Sequence, residues 1–97
     1  MNSTAEQKVR INNDLGLHLR AAGILVQVAT GYRSEITLKR GTTEANAKSI
    51  MSVLSLAAGK GVELTLAADG EDAEVAVQAI AELIERGFSH APGGPPV

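Results

Sequence analysis

An extended segment gives way to a helix at the stretch DLGLHLRAA, residues 14–22, and the rest of the chain is organised around this point. The stretch contains His18, the only histidine inside the predicted folded part, with Arg20 two positions later. The start of a helix offers unpaired backbone N–H groups and the positive end of the helix dipole, so it favours an anion. Histidine can act as a nucleophile near neutral pH, and arginine is suited to binding phosphate. The stretch therefore favours the hypothesis of a histidine that becomes phosphorylated.

Length and composition indicate a single small soluble domain. The chain has 97 residues, of which 44% are hydrophobic and 21% charged, enough to build one core without disulfides. A net charge of −2, with one Tyr and one Phe, argues against a nucleic-acid partner, which would require basic surface or aromatic stacking. Because the chain has no cysteine and only two histidines, we expect no disulfide, no metal site and no cofactor.

The same reasoning predicts a cytoplasmic protein. No apolar run approaches the ~20 residues that are needed to cross a membrane, so we expect no membrane insertion. Residues 1–7 are polar and lack the basic and apolar regions of a signal peptide.

Apolar periodicity predicts seven elements in the order β-α-β-β-α-β-α. Strands are predicted at residues 8–12, 34–39, 42–47 and 62–66, and helices at residues 19–30, 48–56 and 71–86. The third strand is predicted to lie at an edge and to pair with the second as a hairpin. The third helix has the clearest apolar stripe, formed by Ala73, Ala76, Val77, Ile80, Leu83 and Ile84.

This pattern predicts an α+β fold, a two-layer open-faced sandwich. Alternating strands bury one face and expose the other, which favours antiparallel pairing, and three amphipathic helices cover the buried face. Val9, Ile11, Ile36 and Leu38 are expected to face inward. The folded domain is predicted over residues 1–88. Residues 89–97 contain all three prolines and are predicted to form a disordered tail, with His90 as a bystander.

His18 is predicted at the N-cap of the first helix or within one residue of it, and two interpretations are open. In the functional one, a ring nitrogen attacks a phosphoryl donor, and Arg20 adds a charge-assisted hydrogen bond to the phosphate. In the other, an exposed or cap-position histidine stands beside an ordinary surface arginine, and the local pattern alone favours this alternative. No second internal histidine supports a hydrolytic triad, and Gly59 and Gly61 lack the spacing of a Walker loop.

Ser49 and Met51 are further candidate residues at the second helix. Ser49 is predicted to cap that helix, and its hydroxyl is also a candidate for regulatory phosphorylation. If Ile50, Val53 and Leu54 face the core, Met51 points partly outward. An exposed methionine suits an adaptable docking surface, and a gap-filler in the core is the alternative.

Two motifs resemble those of the HPr family, the phosphocarriers of the bacterial phosphoenolpyruvate:sugar phosphotransferase system. They are GLHLRAA at residues 16–22 and AKSIMSVLSL at residues 47–56, and the resemblance covers residues 8–88. It implies a strand order of 1-4-2-3 and a phosphoryl group on Nδ1 of His18, received from enzyme I and passed to an enzyme IIA domain. It also implies phosphate binding by Arg20 and regulation of Ser49 by HPr kinase/phosphorylase. The implied partner-binding residues are Leu19, Ile50, Met51 and Leu54. We also expect the protein to be a monomer.

Three features distinguish the chain from many members of that family. Ala21 stands where many have proline, which is expected to loosen the helix start without preventing transfer. Ser52 stands where glycine is frequent. The ending ELIERGF, residues 82–88, resembles the nitrogen-related paralogue, so the carbohydrate and nitrogen branches both remain open. Two other hypotheses remain: a regulatory relative that acts mainly through protein binding, and a small-molecule-binding module unrelated to phosphate.

Overall fold

Seven elements follow one another in the predicted order. A computed structural model describes residues 3–89 and contains β1 (Ser3–Arg10), α1 (Leu19–Thr30), β2 (Glu35–Arg40), β3 (Thr43–Asn46), α2 (Ile50–Leu54), β4 (Glu63–Gly70) and α3 (Ala73–Glu85). The strands form one four-stranded antiparallel sheet in the order β1-β4-β2-β3. The predicted α+β class, strand order and edge position of β3 are therefore confirmed.

The inward positions of the strands meet across the sheet as their alternation predicts. Val9 on β1 lies opposite Leu64 on β4, and Leu38 on β2 lies opposite Leu66. Leu38, Leu64 and Leu66 are fully buried. Burial of one such side chain contributes roughly 1.5–3 kcal/mol. Register is therefore specified by the core, because a slip of one residue would expose every inward side chain.

The three helices complete the core on one side of the sheet. α3 packs against β1 and β4, and α1 packs against both α2 and α3. The predicted stripe of α3 is buried over its whole length, from Ala73 to Ile84. None of the helices in the described residues is both long enough and apolar enough to span a membrane.

The bounds of β1 and β4 differ most from those predicted, whereas each end of β2 and β3 shifts by one residue. β1 begins at Ser3 and ends at Arg10, whereas the prediction placed it at residues 8–12; Ile11, just beyond it, is fully buried. β4 continues to Gly70, four residues beyond its predicted end at residue 66. The early start of β1 and the late end of β4 have one cause, because Ser3 pairs with Gly70 and this pairing lengthens both strands. The polar residues on β1 lie on an exposed edge strand and carry no apolar alternation.

A buried serine ties the start of β2 to the start of α3. The Asp72 carboxylate accepts hydrogen bonds from the Ser34 hydroxyl at 2.6 Å, the Ser34 N–H at 3.0 Å and the Arg33 N–H at 2.9 Å. These bonds, the Ser34 hydroxyl first, lower the pKa of Asp72 to about 2. Asp72 therefore does not cap α3 with its side chain, and the helix begins at Ala73, two residues later than predicted.

The described chain ends in a tight turn after α3. The N–H of Phe88 donates to the carbonyl of Leu83 at 2.9 Å, and the N–H of Gly87 donates to that of Ile84 at 3.0 Å. This is the Schellman arrangement, in which Gly87, the residue after the predicted end of the helix at residue 86, has φ of +65°. Phe88 is fully buried and Ser89, the first residue of the predicted tail, is also buried. The rest of that tail lies outside the described residues.

Candidate functional site

The loop between β1 and α1 is packed against the loop that follows α2. The Leu17 N–H donates to the carbonyl of Ala58 at 2.8 Å. The Asn13 side-chain amide donates to the carbonyl of Gly16 at 2.9 Å, which closes the loop on itself. Gly16 has φ of +66°, and a Cβ there would lie 2.6 Å from the Ala58 carbonyl oxygen. Glycine is therefore required both by the backbone conformation and by the close approach of the two loops.

A second link joins these loops at the surface. The Lys60 ammonium lies 2.8 Å from the Asp14 carboxylate. This hydrogen bond, reinforced by the attraction of the charges, lowers the pKa of Asp14 and raises that of Lys60. Both groups are exposed to solvent, so the pair fixes geometry more than it adds stability.

His18 is the N-cap residue of α1, as predicted. Its backbone is extended, with φ −78° and ψ 176°, and its carbonyl accepts the Ala22 N–H at 2.8 Å. Its side chain makes no capping hydrogen bond. The imidazole is half-buried, and Nε2 is enclosed without a hydrogen-bond partner in residues 3–89. The imidazole therefore lies at the helix start without forming a hydrogen bond to the unpaired N–H groups of α1.

The first turn of α1 is electrostatically open to an anion. Its first N–H groups, beginning with Leu19, have no carbonyl partner within the helix. No acidic residue lies in that turn. Arg20 is exposed, and its guanidinium makes no hydrogen bond or ion pair with the described part of the chain. Ala21 is fully buried, and the helix begins at Leu19 without a proline.

Ser49 is the N-cap of α2, which confirms its predicted structural role. Its hydroxyl oxygen accepts the Ser52 N–H at 3.3 Å. No acidic residue lies in the first turn of α2 either. The neighbouring Lys48 ammonium donates to the Tyr32 carbonyl at 2.7 Å, which ties this helix start to the end of α1.

Apolar side chains are exposed at the starts of both helices. Leu19 is 67% exposed and Met51 76%, so Met51 is not the gap-filler of the core that was one alternative. Ile50 was expected to face the core, but it is 38% exposed, because α2 is a single short helix that buries only Val53. Leu54 is half-buried against the core.

Sequence reasoning missed one exposed apolar residue beside the site. Leu15 is 70% exposed and lies three positions before His18. An aliphatic side chain inside a turn, between Asp14 and Gly16, is the signal that could have identified it. Exposed apolar residues near a candidate site favour a docking surface for another protein.

Two surface hollows lie away from His18. One of about 380 Å³ lies on the outer face of the sheet, between Thr4, Thr37 and Ala67, and one of about 320 Å³ lies between α1 and α3. Neither is lined by His18 or Arg20. Within residues 3–89, no three acidic or histidine side chains are grouped so as to hold a metal ion. The candidate site is a helix start on the surface.

Comparison with known proteins assigns this arrangement to a family. The model described as "PTS HPr component phosphorylation site" matches residues 5–86. This chain belongs to the HPr family. Membership of this family supports a phosphocarrier role.

Individual HPr-family proteins show the extent of the similarity. The phosphocarrier protein HPr of Xylella fastidiosa is 44% identical over 84 residues, which cover 87% of this chain and 94% of that protein. The phosphocarrier protein NPr of Shewanella violacea is 41% identical over 86 residues, covering 89% and 94%. A crystal structure of HPr from Thermoanaerobacter tengcongensis has a TM-score of 0.84 at 39% identity, covering 87% and 94%.

HPr-family structures also bear on the oligomeric state. A second structure from T. tengcongensis is described as an HPr dimer and has a TM-score of 0.71 at 39% identity, covering 84% of this chain and 94% of that one. The monomer expected for this chain therefore stays a prediction.

Proposed function

We propose that this protein is a phosphocarrier in which His18 accepts a phosphoryl group from phosphorylated enzyme I and passes it to an enzyme IIA domain. The observation that carries the proposal is the position of His18 at the N-cap of α1, with its side chain unused by the helix. A histidine that only capped the helix would donate or accept a hydrogen bond there, as Ser49 does in α2.

The enclosure of Nε2 supports Nδ1 as the reacting nitrogen. Nε2 is buried, so a donor cannot approach it in line. The lone pair on Nδ1 of His18 attacks the phosphorus carried by enzyme I, the donor. A new P–N bond forms as the P–N bond to the donor imidazole breaks, and the electron pair of the broken bond stays with the donor imidazole. Onward transfer to enzyme IIA repeats the same displacement with His18 as the donor.

The helix start and Arg20 stabilise the phosphate moderately. Backbone N–H groups at the start of α1 and the guanidinium of Arg20 both attract its charge, each such contact being worth ~0.3–1 kcal/mol at an exposed position. A stronger pocket would slow release, and a carrier must surrender its phosphoryl group. An open helix start therefore suits transfer in both directions.

Incubation with enzyme I and phosphoenolpyruvate tests the assignment. Mass spectrometry is expected to show an acid-labile increase of about 80 Da, one phosphoryl group. The variant His18→Ala is expected to lose this adduct, and the matched control His90→Ala is expected to retain it. A His18→Ala protein that still acquires the acid-labile group would refute the assignment.

We further propose that Ser49 is a regulatory phosphorylation site and that HPr kinase/phosphorylase is the partner that modifies it. Phosphate there would add ~1.5–2 negative charges at the start of α2 and would repel an acidic enzyme I surface. HPr kinase with ATP is expected to modify the wild-type protein but not Ser49→Ala. The modified protein is expected to accept phosphate at His18 more slowly than the unmodified one, and an unchanged rate would contradict the proposal.

We propose a docking patch for these partners, formed by the exposed residues Leu15, Leu19, Ile50 and Met51 together with Leu54.

Similarity to an NPr also favours a second function, a nitrogen-branch or regulatory protein that acts mainly by binding. Phosphorylated protein offered to a sugar-branch and a nitrogen-branch enzyme IIA distinguishes the branches by which acceptor becomes labelled. Within this proposal the protein acts in the cytoplasm and is a monomer. Sedimentation of the purified chain tests the oligomeric state.

A further inference from the structure

Arg40, at the end of β2, contacts the loop that supports the His18 segment. Its guanidinium donates to the carbonyl of Leu56 at 3.0 Å and to that of Ala57 at 2.8 Å. Both carbonyls follow the end of α2 at Leu54, where helix carbonyls lack intrahelical donors. Arg40 makes no ion pair with a carboxylate in the described part of the chain. Its polar contacts are therefore directed at this loop.

The loop that Arg40 holds has an uncommon backbone conformation. Ala57 has φ of +49°, in the left-handed region that non-glycine residues seldom adopt. Such a residue persists only when surrounding contacts hold it in place. The two bonds from Arg40, one of them to the carbonyl of Ala57 itself, are contacts of that kind.

The next residue, Ala58, carries the contact to the candidate site. Its carbonyl oxygen accepts the Leu17 N–H at 2.8 Å, and it is the atom that a Cβ on Gly16 would strike. Leu17 directly precedes His18, whose own N–H donates to the Gly16 carbonyl at 2.9 Å. A continuous series of hydrogen bonds and adjoining peptide units therefore runs from Arg40 through residues 56–58 to the backbone of His18.

We propose that Arg40 is a positioning residue for phosphoryl transfer at His18. By holding Ala57 in its left-handed conformation, Arg40 fixes the Ala58 carbonyl and with it the direction of the His18 ring and of the first N–H groups of α1. This role rests on the proposed function of His18. Displacement of a reacting group by about 1 Å can lower a rate on the order of 100-fold. Because Arg40 is partly exposed, loss of its two hydrogen bonds is expected to lower the rate of phosphoryl transfer by about tenfold.

The variant Arg40→Met removes both hydrogen bonds, and Lys39→Met is its matched control. Lys39 is the preceding residue of β2 and pairs with Glu44 at 3.8 Å, away from the loop, so the control removes the same charge. With enzyme I and phosphoenolpyruvate, Arg40→Met is expected to lower the maximal rate of phosphorylation about tenfold, with KM for the carrier changed by less than about twofold. Lys39→Met is expected to leave the maximal rate unchanged.

A second substitution distinguishes positioning from a general loss of structure. Glycine adopts positive φ without strain, so Ala57→Gly in the Arg40→Met background is expected to restore most of the maximal rate. Hydrogen exchange of the Leu17 amide is expected to speed up in Arg40→Met and to slow again in the double variant. A maximal rate in Arg40→Met equal to that of Lys39→Met, or no recovery with Ala57→Gly, overturns the positioning role. A wild-type protein that enzyme I does not phosphorylate overturns the proposed function, and the positioning role with it.

Discussion

The substitution Gly16→Ala is expected to destabilise the protein strongly, because two separate constraints act on this residue. Its φ of +66° lies in the left-handed region, where an L side chain costs roughly 1–2 kcal/mol. An added Cβ would also lie 2.6 Å from the Ala58 carbonyl oxygen and 2.7 Å from the Gly59 Cα, both of them backbone atoms. Insertion of extra atoms into packed space costs a further ~1–3 kcal/mol.

Two other glycines separate these constraints. Gly41 has φ of +59° but nothing within 4 Å of its added Cβ, so Gly41→Ala reports the conformational cost alone. Gly23 lies inside α1 and also has nothing within 4 Å, so Gly23→Ala is expected to stabilise the helix by ~0.5–1 kcal/mol. The expected order of melting temperature is Gly23→Ala, wild type, Gly41→Ala and Gly16→Ala, from highest to lowest.

Thermal unfolding followed by circular dichroism measures this order. The two costs at Gly16 sum to roughly 2–5 kcal/mol, and one kcal/mol shifts the Tm of a domain of this size by about 4–8 °C, so a fall of at least about 8 °C is expected. If Gly16→Ala melts at the same temperature as Gly41→Ala, the backbone of residues 58–59 yields without cost. That result would refute the close packing on which the placement of His18 depends.

Three further predictions concern the fold and the docking patch. The pKa of the Asp72 carboxylate is lowered from 3.8 to about 2, so its contribution to the free energy of unfolding is complete above pH 3.8 and is lost as the pH falls through about 2. Urea unfolding at several acidic pH values measures this loss. The loss is expected to be smaller in Ser34→Ala, which lacks the hydrogen bond that lowers the pKa most. Ser49→Ala removes the cap of α2 and is expected to cost about 0.5–2 kcal/mol of unfolding free energy, measured by urea titration. Met51→Asp is expected to leave Tm within about 4 °C of wild type, since a surface substitution is worth about 0.5 kcal/mol, but to raise KM for enzyme I several-fold.

The elements of this fold could be predicted because their signals are local. Helical spacing predicts α1 over the same residues at which the structure has it, and alternation identifies the inward residues of β2. The start of β1 at Ser3 could not be predicted in this way, because its polar residues become a strand only by pairing with the last residues of β4. That pairing joins residues more than sixty positions apart, as between Ser3 and Gly70. Local patterns contain no information about such a partner.

In the candidate site, too, some residues have a local sequence signal and others are recognised only in the folded chain. His18, Arg20 and Ser49 stand out in the sequence as candidates because their residue types occur at predicted helix starts, within two motifs that resemble those of the HPr family. Arg40 does not, because its importance comes from two carbonyl groups that follow α2 and that only the folded chain brings beside it. Exposure of Leu15 is likewise a property of the folded loop.

The two helix starts that carry His18 and Ser49 differ in how their side chains are used. The Ser49 hydroxyl accepts the Ser52 N–H, whereas the His18 imidazole makes no capping bond. A group added to His18 therefore breaks no contact of the helix and meets N–H groups that still lack acceptors. A group added to Ser49 is bonded to the oxygen that accepts the Ser52 N–H, and so alters the contact that starts α2. This difference supports the proposal that His18 carries a phosphoryl group reversibly and that modification of Ser49 changes the state of the protein.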